Sequence, residues 1–152
     1  MAMTLLRPAL ISVTAPGGTA TNLSAHNRQP LEMSYEQIEK SQRTANGTLR
    51  KYVVASKRTF STSWQDLPSV SSTTVDGYMG ALALKSFYDS NYDNSITLKV
   101  YAGSSSSPTE YLSQTRVETI STTVFISSFS ASISRRLGGI DFWNVDISFV
   151  EV

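Results

Sequence analysis

The feature that most constrains this chain is a long strand-like segment that follows Asn46-Gly47. Residues 48–64 contain no glycine, proline, asparagine or aspartate, and the pattern ends only at Asp66-Leu67-Pro68. A strand of this length spans roughly 55 Å, whereas a usual strand has about 5–6 residues. A chain of 152 residues offers too little surface to cover such a ribbon. We therefore expect part of it to be covered by something else.

Asn46-Gly47 predicts a β-hairpin turn, because a type I′ turn needs a positive φ at both central residues. In this interpretation residues 37–45 form the strand before the turn. A short helix is the alternative for this segment, since Ser34 and Gln37 make a capping box and YEQIEKSQ suits a helix. We favour the hairpin.

The long strand changes character at Ser56-Lys57-Arg58, where the apolar pattern lapses on both faces. Either the strand bends there through a bulge, or it leaves the core at that point. Basic residues recur along the ribbon, either to protect a strand edge or to form salt bridges with neighbouring subunits. Together with the turn they make the candidate oligomer interface: Arg43, Asn46, Gly47, Arg50, Lys51, Lys57 and Arg58.

The rest of the chain predicts one helix, one single strand and a second long hairpin. The segment TVDGYMGALALKSFYDS favours a helix over about residues 76–90, with Asp76 or Thr74 as its cap. Residues 95–101 alternate as a half-buried strand does. Residues 116–134 and 140–152 read as two paired strands, apolar on one face and rich in serine or other polar residues on the opposite face.

These elements predict a mainly β fold. We expect residues 35–152 to form a single β-sandwich of two antiparallel sheets, with the helix on its flank and the first hairpin projecting. Residues 1–34 hold a short apolar segment at 5–13, which suggests one short strand, and otherwise lack periodicity. We predict that they form an irregular, extended arm that orders against a partner.

No group of residues in the sequence points to catalysis. The chain has no cysteine, and its only histidine, His26, has no nucleophile motif to serve. Residues 89–94 resemble the start of a calcium loop, but they lack its glycine, and Val100 stands where the bidentate acid belongs. We interpret them as a turn. We predict no enzyme activity and no catalytic, cofactor-binding or metal-binding residues.

The composition excludes further classes of protein. The net charge of +1 provides no field that would drive nucleic-acid binding. No run approaches the roughly 18 apolar residues of a membrane span. Only 16% of the residues are charged, against about 25% in an average domain, and serine and threonine take their place. A surface of hydroxyl groups repels neighbouring copies weakly, which suits a protein that assembles.

Three segments resemble virion structural proteins of long-tailed bacteriophages: NGTLRKYVVASKRTFSTSWQDLPS, TVDGYMGALALKSFY and FWNVDISFVEV. The resemblance covers about residues 35–152. It implies the tail-tube fold, in which a β-sandwich carries one helix and a long hairpin that projects to the neighbouring subunit or ring. It also implies coaxial rings of six subunits that form the tail tube or its distal hub. Such lumens tend to be acidic, whereas this chain is nearly neutral.

The resemblance implies a structural protein of the virion, assembled in the host cytoplasm and without a cofactor. Its partners would be copies of itself, neighbouring tail or baseplate proteins reached through the N-terminal arm, and DNA only in transit through the lumen. The alternative is a carbohydrate- or surface-binding β-sandwich, such as a receptor-binding or capsid-decoration protein. In that case Tyr92, Tyr101 and Tyr111 would stack on sugar rings.

Overall fold

The computed structural model describes residues 10–101 and 120–152. They form seven antiparallel strands and one α-helix, which confirms the mainly β prediction. The strands are β1 (Ile11–Thr14), β2 (Ala20–Asn22), β3 (Glu32–Arg43), β4 (Leu49–Pro68), β5 (Ile96–Val100), β6 (Ile120–Leu137) and β7 (Ile140–Glu151), and the helix is α1 (Ala81–Asn91).

The described strands belong to one sheet, in the order β2-β1-β5-β6-β7-β4-β3, and not to the two separate sheets that we predicted. The segment after β2 crosses from one end of this sheet to β4 near the other end. There the Gln29 amide donates to the Ser63 carbonyl at 2.8 Å, and the Trp64 indole Nε1 donates to the Ser24 carbonyl at 2.9 Å. Because a twisted sheet curls, this single sheet closes around one core.

One face of the curled sheet, here called the inner face, carries the hydrophobic core. Phe60 and Trp64 of β4 are fully buried on it, and Leu84 of α1 packs into the same cluster. The register pairs Phe60 with Phe149 and Trp64 with Val145, so successive strands place their large apolar side chains on the same face. The alternation expected in the sequence for β4, β5 and β7 is therefore confirmed.

The opposite, outer face of the sheet is covered by small hydroxyl groups. Ser61 of β4 lies opposite Ser148 of β7, which lies opposite Ser128 of β6. The next row contains Ser63, Asp146 and Ser130. Glu32 of β3 lies opposite Ser61 and extends the first row, so Glu32 and Asp146 are the two charged side chains in these rows, and both are acidic.

The hairpin of β3 and β4 is confirmed, and the helical alternative for residues 37–45 is wrong. All 12 residues of β3 are exposed, as are the first six of β4. β4 gains β7 as a second neighbour only from Thr59 onward. The strand therefore leaves the body at Arg58, as one of our two interpretations predicted. A bulge also exists, but at Val54, where Ile38 pairs with Ala55 and Glu39 with Val53.

The turn at Asn46-Gly47 is not the type I′ turn that we predicted. Gly47 has a φ of +85°, but Asn46 is not among the residues with positive φ. The Gly47 amide donates to the Thr44 carbonyl at 2.9 Å, and the Thr44 amide donates to the Thr48 carbonyl at 2.9 Å. This is a three-residue loop with glycine in the left-handed bulge position. The Asn46 side chain accepts the Thr44 hydroxyl, so asparagine acts here through its side chain.

Helix α1 was predicted at about residues 76–90 and begins five residues later, at Ala81. Gly80 is its N-cap, without a side-chain cap. Asp76 was our candidate cap, but it bonds elsewhere: Oδ1 accepts the Ser24 hydroxyl at 2.9 Å and Oδ2 accepts the Ala25 amide at 2.7 Å. The carboxylate therefore fastens two distant segments instead of starting the helix.

Part of the predicted arm lies in the body of the protein. β1 pairs with both β2 and β5, and Ile11, Val13 and Leu23 are buried in the core. The short strand that we expected near residues 5–13 is thus present as β1. It lies inside the sheet because it pairs with β2 on one side and with β5 on the other. Residues 1–9 of the arm prediction, and 116–119 of the predicted strand that becomes β6, lie outside the described residues.

Candidate assembly surface

The candidate assembly surface is the part of the β3–β4 hairpin that extends beyond the body, residues 35–58. On its inner face, Tyr35, Leu49 and Val53 are 67, 52 and 46% exposed. On its outer face, Ile38 and Tyr52 are similarly exposed. A hairpin that met only solvent would carry polar side chains on at least one face. Exposed apolar side chains on both faces are typical of a contact region.

The seven interface residues predicted from the sequence all lie on this hairpin, and the structure divides them by their contacts. Lys51 Nζ lies 2.7 Å from Glu39 Oε2, and Arg43 donates to the Gly47 carbonyl at 2.9 Å. Arg50 and Lys57 have no carboxylate within 4.0 Å among the described residues. Asn46 and Gly47 form the tip. Whether these residues contact another subunit stays a prediction.

Arg58 is engaged within its own chain, at the root of the hairpin. Its Nε and backbone amide both donate to Glu151 Oε2 at 3.0 Å, and its Nη2 donates to Oε1 at 3.3 Å. Thr122 of β6 donates to the same carboxylate at 3.1 Å. These bonds lower the pKa of Glu151 to about 2, with the Arg58 side chain as the largest cause. The pair fixes β4 to β6 and β7 where the hairpin departs.

We expect Glu151→Gln to destabilise the protein by about 1.5–3 kcal/mol at neutral pH, because the Arg58 guanidinium loses a charged acceptor. Since folding lowers the pKa of Glu151, its contribution to stability is complete above about pH 4.5 and is lost as the pH falls towards 2. Urea unfolding at pH 7, 4.5 and 2.5 measures both effects. The variant should lose less stability than the wild type between pH 4.5 and 2.5, and equal pH dependence would contradict this assignment.

Two long strand edges are also open for pairing. β3 is the last of the described strands in the sheet, so one edge along its 12 residues has no partner strand in the part of the chain that the structure describes. β6 pairs with β5 only over residues 120–124, so its edge from Phe125 to the turn has no partner among the described strands. Unpaired backbone donors and acceptors along such edges are templates for pairing with another chain.

The structure brings Ser24, His26 and Asp76 together, but not as a catalytic triad. The Ser24 hydroxyl donates to Asp76, and the His26 Nδ1 accepts the backbone amide of Val75 at 3.1 Å. The imidazole therefore does not contact the serine hydroxyl that it would have to activate. Burial lowers the pKa of Arg28 in the same segment, and the Asp76 carboxylate opposes that shift. This polar cluster joins the segment after β2 to the loop before α1.

The calcium-like segment at residues 89–94 is used structurally. The Asp89 Oδ2 lies 3.1 Å from the Lys85 Nζ, and the buried Asn91 side chain donates to the Phe87 carbonyl at 3.0 Å. Within the described ranges no three histidine, cysteine, aspartate or glutamate residues are grouped closely enough to hold a metal ion. In the same part of the chain, no helix is long and apolar enough to cross a membrane.

The sugar-binding alternative predicts a groove with exposed aromatic rings. A groove on the outer face is lined by residues that include Glu32, Ser61 and Asp146, and no aromatic ring lines it. Tyr92 is exposed at the end of α1 and Tyr101 is partly exposed, but neither lies in this groove. Tyr111 falls outside the described residues.

Comparison with known proteins identifies the fold. No family model matches the sequence, and no curated protein matches it. The chain is similar to one from the tail of an empty gene transfer agent (GTA) particle, obtained with helical refinement and C6 symmetry. The TM-score is 0.56 at 10% identity, over 95% of this chain and 90% of that chain.

A second solved structure is a chain from the PVC sheath-tube complex of an extracellular contractile injection system in its extended state. The match covers 96% of this chain and 87% of that chain at 14% identity. Its TM-score of 0.39 is too low to define a shared fold. The likeness to the GTA tail chain does define one. This protein has the fold of a chain from a phage-like tail, as its resemblance to tail-tube proteins implies.

Proposed function

We propose that this protein is a structural subunit of a phage-like tail, and that its copies form rings that stack as the tail tube or the distal hub. The observation that carries the proposal is the β3–β4 hairpin. It extends over ten residues of β4 (49–58), about 33 Å, beyond the last backbone pair with β7, and it exposes apolar side chains on both faces. A neighbouring copy would bury these side chains.

The open strand edges support closure into a ring. β3 and the distal part of β6 present different edges of one sheet, so pairing between copies would be heterologous, with β3 of one subunit beside β6 of the next. Such contacts generate a ring when the rotation closes. The C6 symmetry of the GTA tail with the same fold supports six as the number of subunits.

The hydroxyl-rich outer face supports a channel lining. In a ring closed by these edges, one face of the sheet must face the lumen, and the inner face is occupied by the core. Rows such as Ser61, Ser148 and Ser128 present neutral groups that hold no counterions and attract no phosphates. DNA in transit would pass this face without binding tightly.

The proposed role assigns no catalytic residue and places the protein in the virion, after assembly in the host cytoplasm. The prediction that the N-terminal arm binds neighbouring tail or baseplate proteins now rests on residues 1–9, since residues 11–14 and 20–22 belong to the sheet. It stays a prediction.

Electron microscopy of the purified full chain tests the proposal. We expect rings or short tubes with a central channel, in amounts that increase with protein concentration, because the open edges and the hairpin need partner copies. Sedimentation velocity at several concentrations measures the same assembly in solution. A protein that stays monomeric at millimolar concentration would contradict the proposal, and binding of that monomer to a glycan array would favour the sugar-binding alternative.

A further inference from the structure

The inner face of the sheet is uncovered at both ends of the molecule. In the body, α1 and the segment after β2 cover it: Tyr88 of α1 stacks on Phe129 of β6 with ring centroids 4.8 Å apart, and Trp64 reaches Ser24. The strands of both hairpins continue past this cover. Among the described residues, these stretches carry exposed apolar side chains on the inner face, next to polar ones such as Glu39 and Lys51 on the first hairpin. On the second hairpin, Trp143 keeps a partial contact with the core.

The first uncovered stretch lies on the β3–β4 hairpin. Because residues directly opposite each other in the register share a face, Tyr35 and Arg58 lie on the inner face with Phe60 and Met33. The bulge at Val54 keeps Val53 and Leu49 on that face too. Tyr35, Leu49 and Val53 are the hairpin patch.

The second uncovered stretch lies on the β6–β7 hairpin. Ala131 pairs with the fully buried Val145, and Ile133 pairs with Trp143, so all four share the inner face. Ala131 is exposed, Ile133 is 49% exposed, and Trp143 is partly exposed. Ala131, Ile133 and Trp143 are the receiving patch.

The two patches lie at opposite ends of the molecule along the strand direction. β4 and β7 run antiparallel, with Thr59 opposite Val150 at one end of their pairing and Pro68 opposite Phe142 at the other. The tip of the β3–β4 hairpin lies beyond the first end, and the turn of the β6–β7 hairpin lies beyond the second. One molecule therefore offers one patch at each end, as a head-to-tail contact requires.

Most of the charges beside the two patches are paired within the described part of the chain. Lys51 pairs with Glu39 beside Val53, and Arg136 pairs with Asp141 at 3.1 Å beside Trp143. The exception is Arg43 opposite Leu49, which donates to the Gly47 carbonyl at 2.9 Å and has no carboxylate within 4.0 Å among the described residues. Because the other charges are paired, the two surfaces can meet without burying those charges unpaired, which would cost several kcal/mol. Arg50 and Lys57, which also have no carboxylate within 4.0 Å among the described residues, lie on the outer face in the register.

We propose that the hairpin patch of one copy packs on the receiving patch of a second copy placed head to tail along the strand direction. This inference rests on the proposed tail function and names the two surfaces that join successive copies. The occupant is a second copy of this chain, because the chain itself carries both apolar patches, at opposite ends of its strands and with most of the nearby charges already paired.

Disulfide mapping tests this contact, and the chain suits it because it has no cysteine of its own. Tyr35→Cys, Leu49→Cys and Val53→Cys are each combined with Ile133→Cys in the full chain. The assembled proteins are oxidised mildly and run on a non-reducing gel. We expect at least one of the three double variants to give a ladder beyond the dimer, since each chain then links to a copy at both ends.

The matched controls place the first cysteine on the outer face of the same hairpin, as Ile38→Cys or Tyr52→Cys with Ile133→Cys. They should give no ladder, and each single-cysteine variant should stop at the dimer. Absence of a ladder from all three hairpin-patch variants, in samples that electron microscopy shows to be assembled, would overturn this inference and leave the proposed function standing. Equal ladders from the outer-face controls would also overturn it. If the wild-type chain does not assemble, the proposed function fails together with this inference.

Discussion

Removing residues 40–43 and 49–52 is expected to leave a folded monomer that no longer assembles. These are four opposed pairs, from Lys40 with Tyr52 to Arg43 with Leu49, so the deletion keeps the turn and the register of the remaining pairs. All eight residues are exposed, and the core loses nothing. In an assembly, however, the burial of Leu49 and of Tyr52 would each stabilise the contact between copies by about 1.5–3 kcal/mol. Losing both weakens every contact by roughly 100-fold or more.

Sedimentation velocity and electron microscopy of the shortened protein measure this effect, and thermal unfolding shows whether the fold survives. Leu82→Ser is the matched control, since it removes an apolar side chain of similar exposure, 46%, from the start of α1. The control should assemble like the wild type. Rings or tubes formed by the shortened chain in normal yield would show that the hairpin does not connect the subunits.

The second large effect is expected in the core: Trp64→Ala should destabilise the fold by about 3–5 kcal/mol. Trp64 is 1% exposed, and its truncation leaves one of the largest cavities that a single substitution can create here. The substitution also removes the indole donor from the Ser24 carbonyl, which costs about 1 kcal/mol more. Because domains of this kind are stable by only about 5–15 kcal/mol, much of the protein would be unfolded at 37 °C.

Urea unfolding followed by far-UV circular dichroism measures the loss. Trp64→Phe keeps most of the buried surface and removes the hydrogen bond, so it should lose only about 1–2 kcal/mol. Tyr52→Ala, at a site that is 72% exposed, should change the stability of the monomer by less than about 0.5 kcal/mol. A loss below about 1 kcal/mol in Trp64→Ala would mean that the closure of the sheet at β4 does not depend on this residue.

The features that the sequence predicts best are those set by local alternation. The inner-face parity of Phe60 and Trp64, and of Val145, Ile147 and Phe149, can be read directly from the residues. A strand buried on one face carries this pattern whatever its partners are. The lapse of apolar residues at 56–58 predicts either a bulge or an exit from the body, and only the register of β4 with β7 decides for the exit.

The features that the sequence does not reveal depend on distant partners. β1 is only four residues long, and it is ordered by β5, which lies more than eighty positions away in the register. The single curled sheet results from the bonds that the segment after β2 makes to β4, and no local pattern encodes them. Asp76 stands where a helix cap is expected, yet its bonds to Ser24 and Ala25 are tertiary.

The root of the hairpin is a case in which the sequence does carry a usable signal. Glu151 shares the parity of the core residues of β7, and Arg58 shares the parity of Phe60 and Trp64. An acid and a base that each interrupt an apolar face indicate a partly buried ion pair. The interface prediction included Arg58 as a residue available to neighbours, whereas its guanidinium is bound within the chain.

The pairing of β4 with β7 also sets the order of events during synthesis. Arg58 and Glu151 are 93 residues apart, so the ribosome releases the hairpin long before the strand that anchors it. Until β7 arrives, β4 has β3 as its only strand neighbour and no fixed direction in which to project. If the hairpin joins copies as we propose, a nascent chain therefore has no fixed connector to offer to a partner copy until β7 is in place.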